Sequence, residues 1–257
     1  MIELYDHSLL AVFLVGLAVI LVGSEIGHRF GIRAASRGGD VSTLESAVLG
    51  LLALIIAFTF SMAVARFEGR RDAVLNEANA IGTTALRARL LPEPQRSESL
   101  KLLREYVKIR LGFTGRPMSQ AELTAAIDRS NVLQEALWQQ AKAMAAKDSG
   151  MVPTGLFIQT LNEMIDSQGK RLAALRNRVP NIVLLSLFGL ATVAGGFTGF
   201  ASGLDARRTR LPVYIIGLLV SVVILLILDL DRPSDGFIKV SQQPMIDTAA
   251  SIAAFSD

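Results

Sequence analysis

An uncharged run, Ser46 to Ala65, passes without a break signal into the charged but still periodic segment RFEGRRDAVLNEANAIGTTALRARLLP, and that junction constrains the fold more than any other feature. At 1.5 Å per residue, about 20 uncharged residues are enough to cross a hydrocarbon core of roughly 30 Å. Beyond it, Val74, Leu75, Ala78, Ile81, Ala85, Leu86 and Leu90 recur at steps of three and four, with Arg70, Arg71, Glu77 and Arg87 around them. This is the pattern of an amphipathic helix. The sequence predicts one helix that leaves a membrane and enters an extramembrane helical domain.

Composition agrees. Of 257 residues, 51% are hydrophobic and 19% charged, with a mean hydropathy of +0.44, too apolar for an ordinary soluble domain. The net charge of +3 is small, and the basic residues are not interleaved with aromatics, so there is no nucleic-acid footprint. Cysteine is absent, which excludes disulfides, thiolate catalysis and cysteine-based metal sites. Aromatics make up only 6%, so the spans are recognised by their lack of charge rather than by an aromatic belt.

The uncharged runs place spans at about residues 8–24, 46–65, 181–203 and 211–228. The lead MIELYDH lacks the basic start of a secretory signal, so the first run is read as a retained span. The expected organisation is a first transmembrane pair in 1–65, an extramembrane helical domain in 66–178, a second pair in 179–230 and a C-terminal segment in 231–257. Within the insert, Pro92 and Pro94 end the long helix. Leu100, Leu103, Val107 and Leu111 mark a further amphipathic helix over 98–111. Ser119 and Glu122 have the spacing of a capping box for a helix reaching about Lys147. Thr154 is the expected cap of the next helix, and Pro180 stands at the entrance to the third span.

Four spans put both termini and the insert on one side. The short loops carry Arg29, Arg33 and Arg37, and Arg207, Arg208 and Arg210, so the positive-inside rule places them in the cytoplasm and the insert in the periplasm. Small residues recur at every fourth position: Gly23, Gly27 and Gly31; Gly50, Ala53, Ala57 and Ser61; Ala191, Gly195, Gly199 and Gly203. Such faces let backbones approach closely in lipid, either within one subunit or between subunits.

The segment after the second span, containing Glu77, Asn79 and Gly82, and the segment LDLDRPSDGFIKVSQQPM after the fourth, containing Asp229, Asp231, Arg232, Pro233, Gln242, Gln243 and Pro244, resemble the signatures of bacterial bestrophin-like domain proteins. The order of two spans, a helical insert, two spans and the DRP and QQP elements is similar over most of the chain. The resemblance implies a multi-pass protein of the bacterial inner membrane. Its more distant similarity in layout to bestrophins implies a homo-oligomer, pentameric by analogy, conducting inorganic anions through a pore lined by the second span.

If several copies assemble around that span, Leu51, Leu54, Ile55, Phe58 and Met62, with Phe60 and the hydroxyls of Thr59 and Ser61, form an apolar constriction that gates by dewetting. Arg66, Arg70 and Arg71 form a basic vestibule that concentrates anions. The same apolar side chains equally suit lipid or core. Arg70 and Glu77, seven residues apart on one helical side, are expected to pair between neighbouring helices. Asp229, Asp231 and Asp235 offer the oxygens a calcium ion takes, but lack EF-hand spacing, and a tie to Arg232 is the structural alternative. Gln242 and Gln243 are expected to bond helix ends at the membrane surface.

Glu25 and His28 are spaced like a ligand pair of a carboxylate metal bundle but lack partners. No enzyme motif is present: there is no HExxH, phosphate-cradling loop or nucleophile elbow, and only His7 and His28 as histidines. No cofactor is implied. Ionisable groups at mid-span are absent, against ion-coupled pumping. The chain thus reads as an all-helical, four-span integral membrane protein, either an oligomeric ion channel or a non-conducting scaffold or sensor whose insert binds a protein partner.

Overall fold

The computed structural model describes residues 7–35, 41–112, 119–147, 152–205, 210–233 and 236–255. The described residues form helices and connecting turns, with no strand among them. In chain order the helices are α1 (Leu9–Ala34), α2 (Ser42–Ala88), α3 (Gln95–Leu111), α4 (Gln120–Lys147), α5 (Val152–Arg176), α6 (Asn181–Leu204), α7 (Leu211–Asp231) and α8 (Gln243–Ala253). By length and composition, 4 stretches are apolar enough to cross a membrane, carried by α1, α2, α6 and α7. The all-helical, four-span fold is therefore observed.

Helix α2 has 47 residues in a single unbroken element, about 70 Å at the standard rise. Its glycines do not interrupt it, and at Gly50 and Gly69 a side chain would meet nothing within 4 Å, so they mark no close approach. Beyond Pro92 and Pro94 the chain restarts as α3. Helix α1 is longer than the uncharged run that announced it, with 26 residues, and its first turn is capped by Ser8 Oγ accepting from Ala11 N–H at 3.2 Å. Glu25 lies within it and pairs with Arg29 one turn on, at 3.1 Å, which lets the helix continue beyond the apolar stretch.

The chain divides into two compact units. One comprises α1, α2 as far as Arg66, α6, α7 and residues 236–238; the other takes α2 from Phe67, then α3, α4, α5 and α8.

In the membrane unit, α1 and α6 run parallel, since successive glycines of one meet successive positions of the other. Gly23 faces Thr192, Gly27 faces Gly196, Gly199 faces Ser24, and Gly203 faces His28 and Gly31. A Cβ on Gly27 would lie 2.8 Å from the Gly196 carbonyl carbon, and one on Gly199 equally close to that of Ser24. The small-residue rows of the first and third spans are thus an intrasubunit contact. With no water to exclude, close backbone packing is what holds such helices together. All spans converge on a void of about 10 Å³ bounded by Ile20, Leu52, Ala194 and Gly217, close to the smallest space that holds a water.

In the extramembrane unit the core is built from Ile81 and Ala85 of α2, Leu100 and Leu103 of α3, Leu137 of α4, and Phe157 and Leu161 of α5, all 0% exposed. Each large side chain so buried contributes roughly 1.5–3 kcal/mol. Thr84 Oγ1 donates to the Thr160 carbonyl at 3.0 Å and Arg87 Nη1 to the Leu156 carbonyl at 2.8 Å, tying α2 to α5. Within the expected C-terminal segment the chain forms α8, which buries Met245 and Ile252 in this core. Arg104 donates to the carbonyls of Ile252 and Phe255 at the C-terminal end of α8.

The capping box of α4 is formed: Ser119 N–H donates to Glu122 Oε2 at 2.9 Å, and Glu122 N–H to Ser119 Oγ at 3.2 Å. Ser119→Ala is expected to cost about 1 kcal/mol locally. Hydrogen exchange should speed up in the first turn of α4 and remain unchanged in α5. Thr154, by contrast, is not a cap: α5 starts at Val152, places Pro153 in its first turn, where a missing N–H costs nothing, and buries Thr154 at 3% exposure.

Candidate functional site on the second span

Within the membrane unit α2 is the least covered span: 17% of its apolar window is buried, against 28% for α1 and for α7. Its exposed side is continuous. Leu51 (48% exposed), Leu54 (52%) and Phe58 (64%) follow one another at steps of three and four, and Ser61 extends the line. Gly50, Ala53 and Ala57 are also exposed, so the small-residue face of this span, unlike those of the first and third, is left uncovered by the described residues of the subunit. Ile55 and Met62 flank the line half-buried, as does Phe60.

Thr59 is not on this face. It is 2% exposed, on the side shared with Leu52 and Ala63, and donates its hydroxyl to the Ile55 carbonyl at 2.7 Å. A hydroxyl in an apolar span satisfies itself on the preceding turn of its own helix.

The three arginines that follow have different surroundings. Arg66 is half-buried and donates to the Met62 carbonyl at 3.3 Å, covering a carbonyl of its own helix. Arg71 is exposed. Arg70 is 3% exposed within the extramembrane unit, so its guanidinium is withdrawn from any water-filled space and leaves the vestibule set.

Nor does Glu77 belong with Arg70. Its carboxylate, fully buried, lies 2.7 Å from Arg110 Nε of α3 and 2.6 Å from Arg171 Nη1 of α5. Arg171 Nη2 also donates to Gln242 Oε1 at 2.9 Å. Beside this triad Tyr106 donates to Gln168 Oε1 at 2.8 Å, and Gln134 Nε2 reaches the same oxygen at 2.9 Å. Burial, with the Glu77 charge adding to it, pushes the Tyr106 hydroxyl above its ordinary range, so it remains a neutral donor. Burial also lowers Arg171, and Glu77 works against that shift. Residues from α2, α3, α4 and α5 and the residue preceding α8 thus meet in one buried polar network. Its arginines were readable as anomalies: Arg110 continues the apolar stripe of Leu103 and Val107, and Arg171 that of Leu161 and Met164. A charge on an apolar face announces a buried partner.

The remaining signature residues are connectors. Asp229 accepts from the N–H groups of Phe237 at 2.6 Å and Ile238 at 2.9 Å, and Asp231 Oδ2 accepts from Val179 N–H at 2.8 Å. Arg232 Nη2 donates to the His7 carbonyl at 2.5 Å. These carboxylate oxygens hold chain turns at the ends of α6 and α7; Asp235 lies outside the described residues. Among the described residues no three histidine, aspartate or glutamate side chains converge as metal ligands do. Glu25, the acid of the Glu-x-x-His step, takes Arg29 and, at 3.5 Å, Arg210. Gln242 bonds Arg171, and Gln243 Nε2 bonds Asp247 Oδ1 at 2.8 Å, so neither is engaged as a cap at a span end. Pro244 opens α8, Pro233 follows α7, Asn79 is exposed, and Gly82 packs loosely against Thr248.

Comparison with known proteins supplies the lineage. A family model described as Bestrophin-like domain matches residues 9–245. Among solved structures, a variant of a bacterial bestrophin homolog from Klebsiella pneumoniae aligns with a TM-score of 0.67 and 15% identity, covering 96% of this chain and 96% of that one. A second variant of that homolog gives 0.68 at 14% identity, covering 96% and 99%. A structure described only as a membrane protein gives 0.67 at 14%, with the same coverage of 96% and 99%. At such identity the likeness is one of fold. No curated protein sequence matches the chain. The four membrane-crossing helices and the family model agree, and this multi-pass membrane protein belongs to the bestrophin-like domain family.

Proposed function

We propose that copies of this chain assemble in the membrane with α2 innermost and conduct anions along the axis between them. The observation that carries the reading is the uncovered side of α2: Leu51, Leu54, Phe58 and Ser61 in a line, with Gly50, Ala53 and Ala57 beside them. Small residues allow neighbouring copies of α2 to approach closely. The large apolar side chains then form stacked rings narrow enough to exclude water until the ring widens, and Ser61 offers a hydroxyl next to them. Arg66 and Arg71, following the span in sequence, repeat in every copy and raise the anion concentration at that mouth. Thr59 has no part in the lining, being turned inward, and Arg70 none in the vestibule. That relatives of this fold are bestrophin homologs supports the same reading.

In planar bilayers the purified oligomer should show unitary currents carried by chloride, with a reversal potential that follows the anion gradient. Phe58→Ala should raise open probability severalfold by removing the bulkiest member of the apolar line. Arg66→Ala and Arg71→Ala together should lower anion over cation selectivity and leave the apolar gate intact. Electrical silence in a preparation of verified oligomeric state refutes conduction and favours the scaffold reading.

A further inference from the structure

We propose that the membrane unit holds one small monovalent anion, of the halide class, where α1, α6 and the start of α7 meet, bridging His28 and Ser202. These helices enclose a recess of about 10 Å³, lined on its polar side by Glu25 and His28 of α1, Ser202 of α6, and Arg210 and Tyr214 around the start of α7. Such a space admits one particle of roughly the size of a water molecule. No residue of α2 belongs to the lining, so the site stands apart from the proposed conduction path and is tested without measuring current.

Two atoms of the lining ask for a partner. Ser202 is 4% exposed, and its hydroxyl makes no hydrogen bond among the described residues. That departs from the other hydroxyls of these spans: Thr59, Thr192, Thr198 and Ser221 each donate to the carbonyl one turn back on their own helix. His28 Nδ1, also buried, is likewise without a partner. Buried polar atoms left in this condition are costly, and the two are not bonded to each other. One small species seated between them answers both.

Charge selects the species. Glu25 is the carboxylate of the lining, and it is answered twice, by Arg29 at 3.1 Å and by Arg210 at 3.5 Å, which leaves one positive charge in excess. The negative end of α6 and the positive end of α7 both border the recess and offset one another. A cation would face both guanidinium groups, and a neutral water would leave the excess charge standing. An anion meets donors instead: the hydroxyls of Ser202 and Tyr214, the Arg210 guanidinium, and His28, whose Nδ1 carries a proton in one neutral tautomer and in the imidazolium. Phosphate and carboxylates are too large for a space of this size, whereas a halide is little larger than water. Arg210 and Tyr214, 48% and 39% exposed, stand at the rim through which the ion exchanges.

The test uses the full-length protein in detergent. Crystals soaked in bromide should give an anomalous difference peak in the recess, in contact with His28 and Ser202. In solution at fixed ionic strength, gluconate, which is too large to enter, replaces chloride. The unfolding midpoint should then fall by about 4 °C if chloride had been in roughly tenfold excess over its dissociation constant. Ser202→Ala and Arg210→Gln should each abolish most of that difference, and the second changes an exposed side chain that the fold does not require. Ser221→Ala removes a buried hydroxyl already bonded within α7 and should keep the difference in full. A recess that shows no bromide signal and holds water alone overturns the proposal. So does a wild-type midpoint indifferent to the exchange of anions, or an unreduced difference in both the Ser202 and Arg210 variants.

Discussion

Replacing Glu77 by glutamine is expected to destabilise the extramembrane unit by about 3–5 kcal/mol, the usual cost of removing one partner of a buried ion group. The carboxylate is 0% exposed and answers the guanidinium groups of Arg110 and Arg171, themselves 0% and 3% exposed. Without it two like charges share a dry interior, and neither the amide of glutamine nor water restores the balance. The sole tryptophan, Trp138, packs against the core of this unit, so its fluorescence in a denaturant titration reports that unit directly. The midpoint should fall markedly for Glu77→Gln. It should recover in Glu77→Gln/Arg110→Met/Arg171→Met, where an apolar group replaces the buried charges. Equal midpoints for wild type and Glu77→Gln would mean that the triad contributes nothing to stability.

Gly199→Val should also be strongly damaging, and in the membrane unit alone. The new side chain would be driven into the Ser24 carbonyl of α1. Ordinary overpacking costs about 1–3 kcal/mol, and here the obstacle is main chain on both sides, which cannot rotate away, so the loss lies at or beyond the top of that range. The expected result is a protein that fails to accumulate in the membrane, or that elutes as aggregate from detergent. Gly189→Val is the matched control: it lies on the same helix, but its side chain would meet nothing within 4 Å. If both variants behave alike, α1 and α6 are not held together by this contact.

These two expectations arise from features of unequal visibility. The spans and the long α2 could be read directly, because charge avoidance over about 20 residues is imposed by the hydrocarbon itself. The helix starts were legible where a side chain serves its own turn, as Ser119 and Glu122 do, and misread where a proline moved the start, as at Thr154. The small-residue rows were visible, but periodicity only says that a face packs closely, not against what. The first and third spans spend theirs on each other, while the row on α2 is left exposed.

Buried charge was the harder case. Arg70 and Glu77 lie on one side of α2, yet the partners of Glu77 come from α3 and α5, 33 and 94 positions further along the chain for Arg110 and Arg171. Spacing along a helix reveals neighbours on that helix only. Likewise the acids after the fourth span read as ligand oxygens, but the turn at Gly236–Ile238 and the residue Val179 just ahead of α6 bring backbone N–H groups to Asp229 and Asp231.

The local chemistry of the chain was sufficient for its class: hydropathy set the number of crossings, and amphipathic periodicity set the helices of the insert, since both depend on residues close in sequence. Partner choice was not contained there. Which arginines neutralise Glu77, which glycines meet, that the last helix completes the extramembrane core, and that Phe58 is left outside while Thr59 is not, all depend on contacts between residues remote in sequence. Those contacts exist only once the chain has been brought together in space.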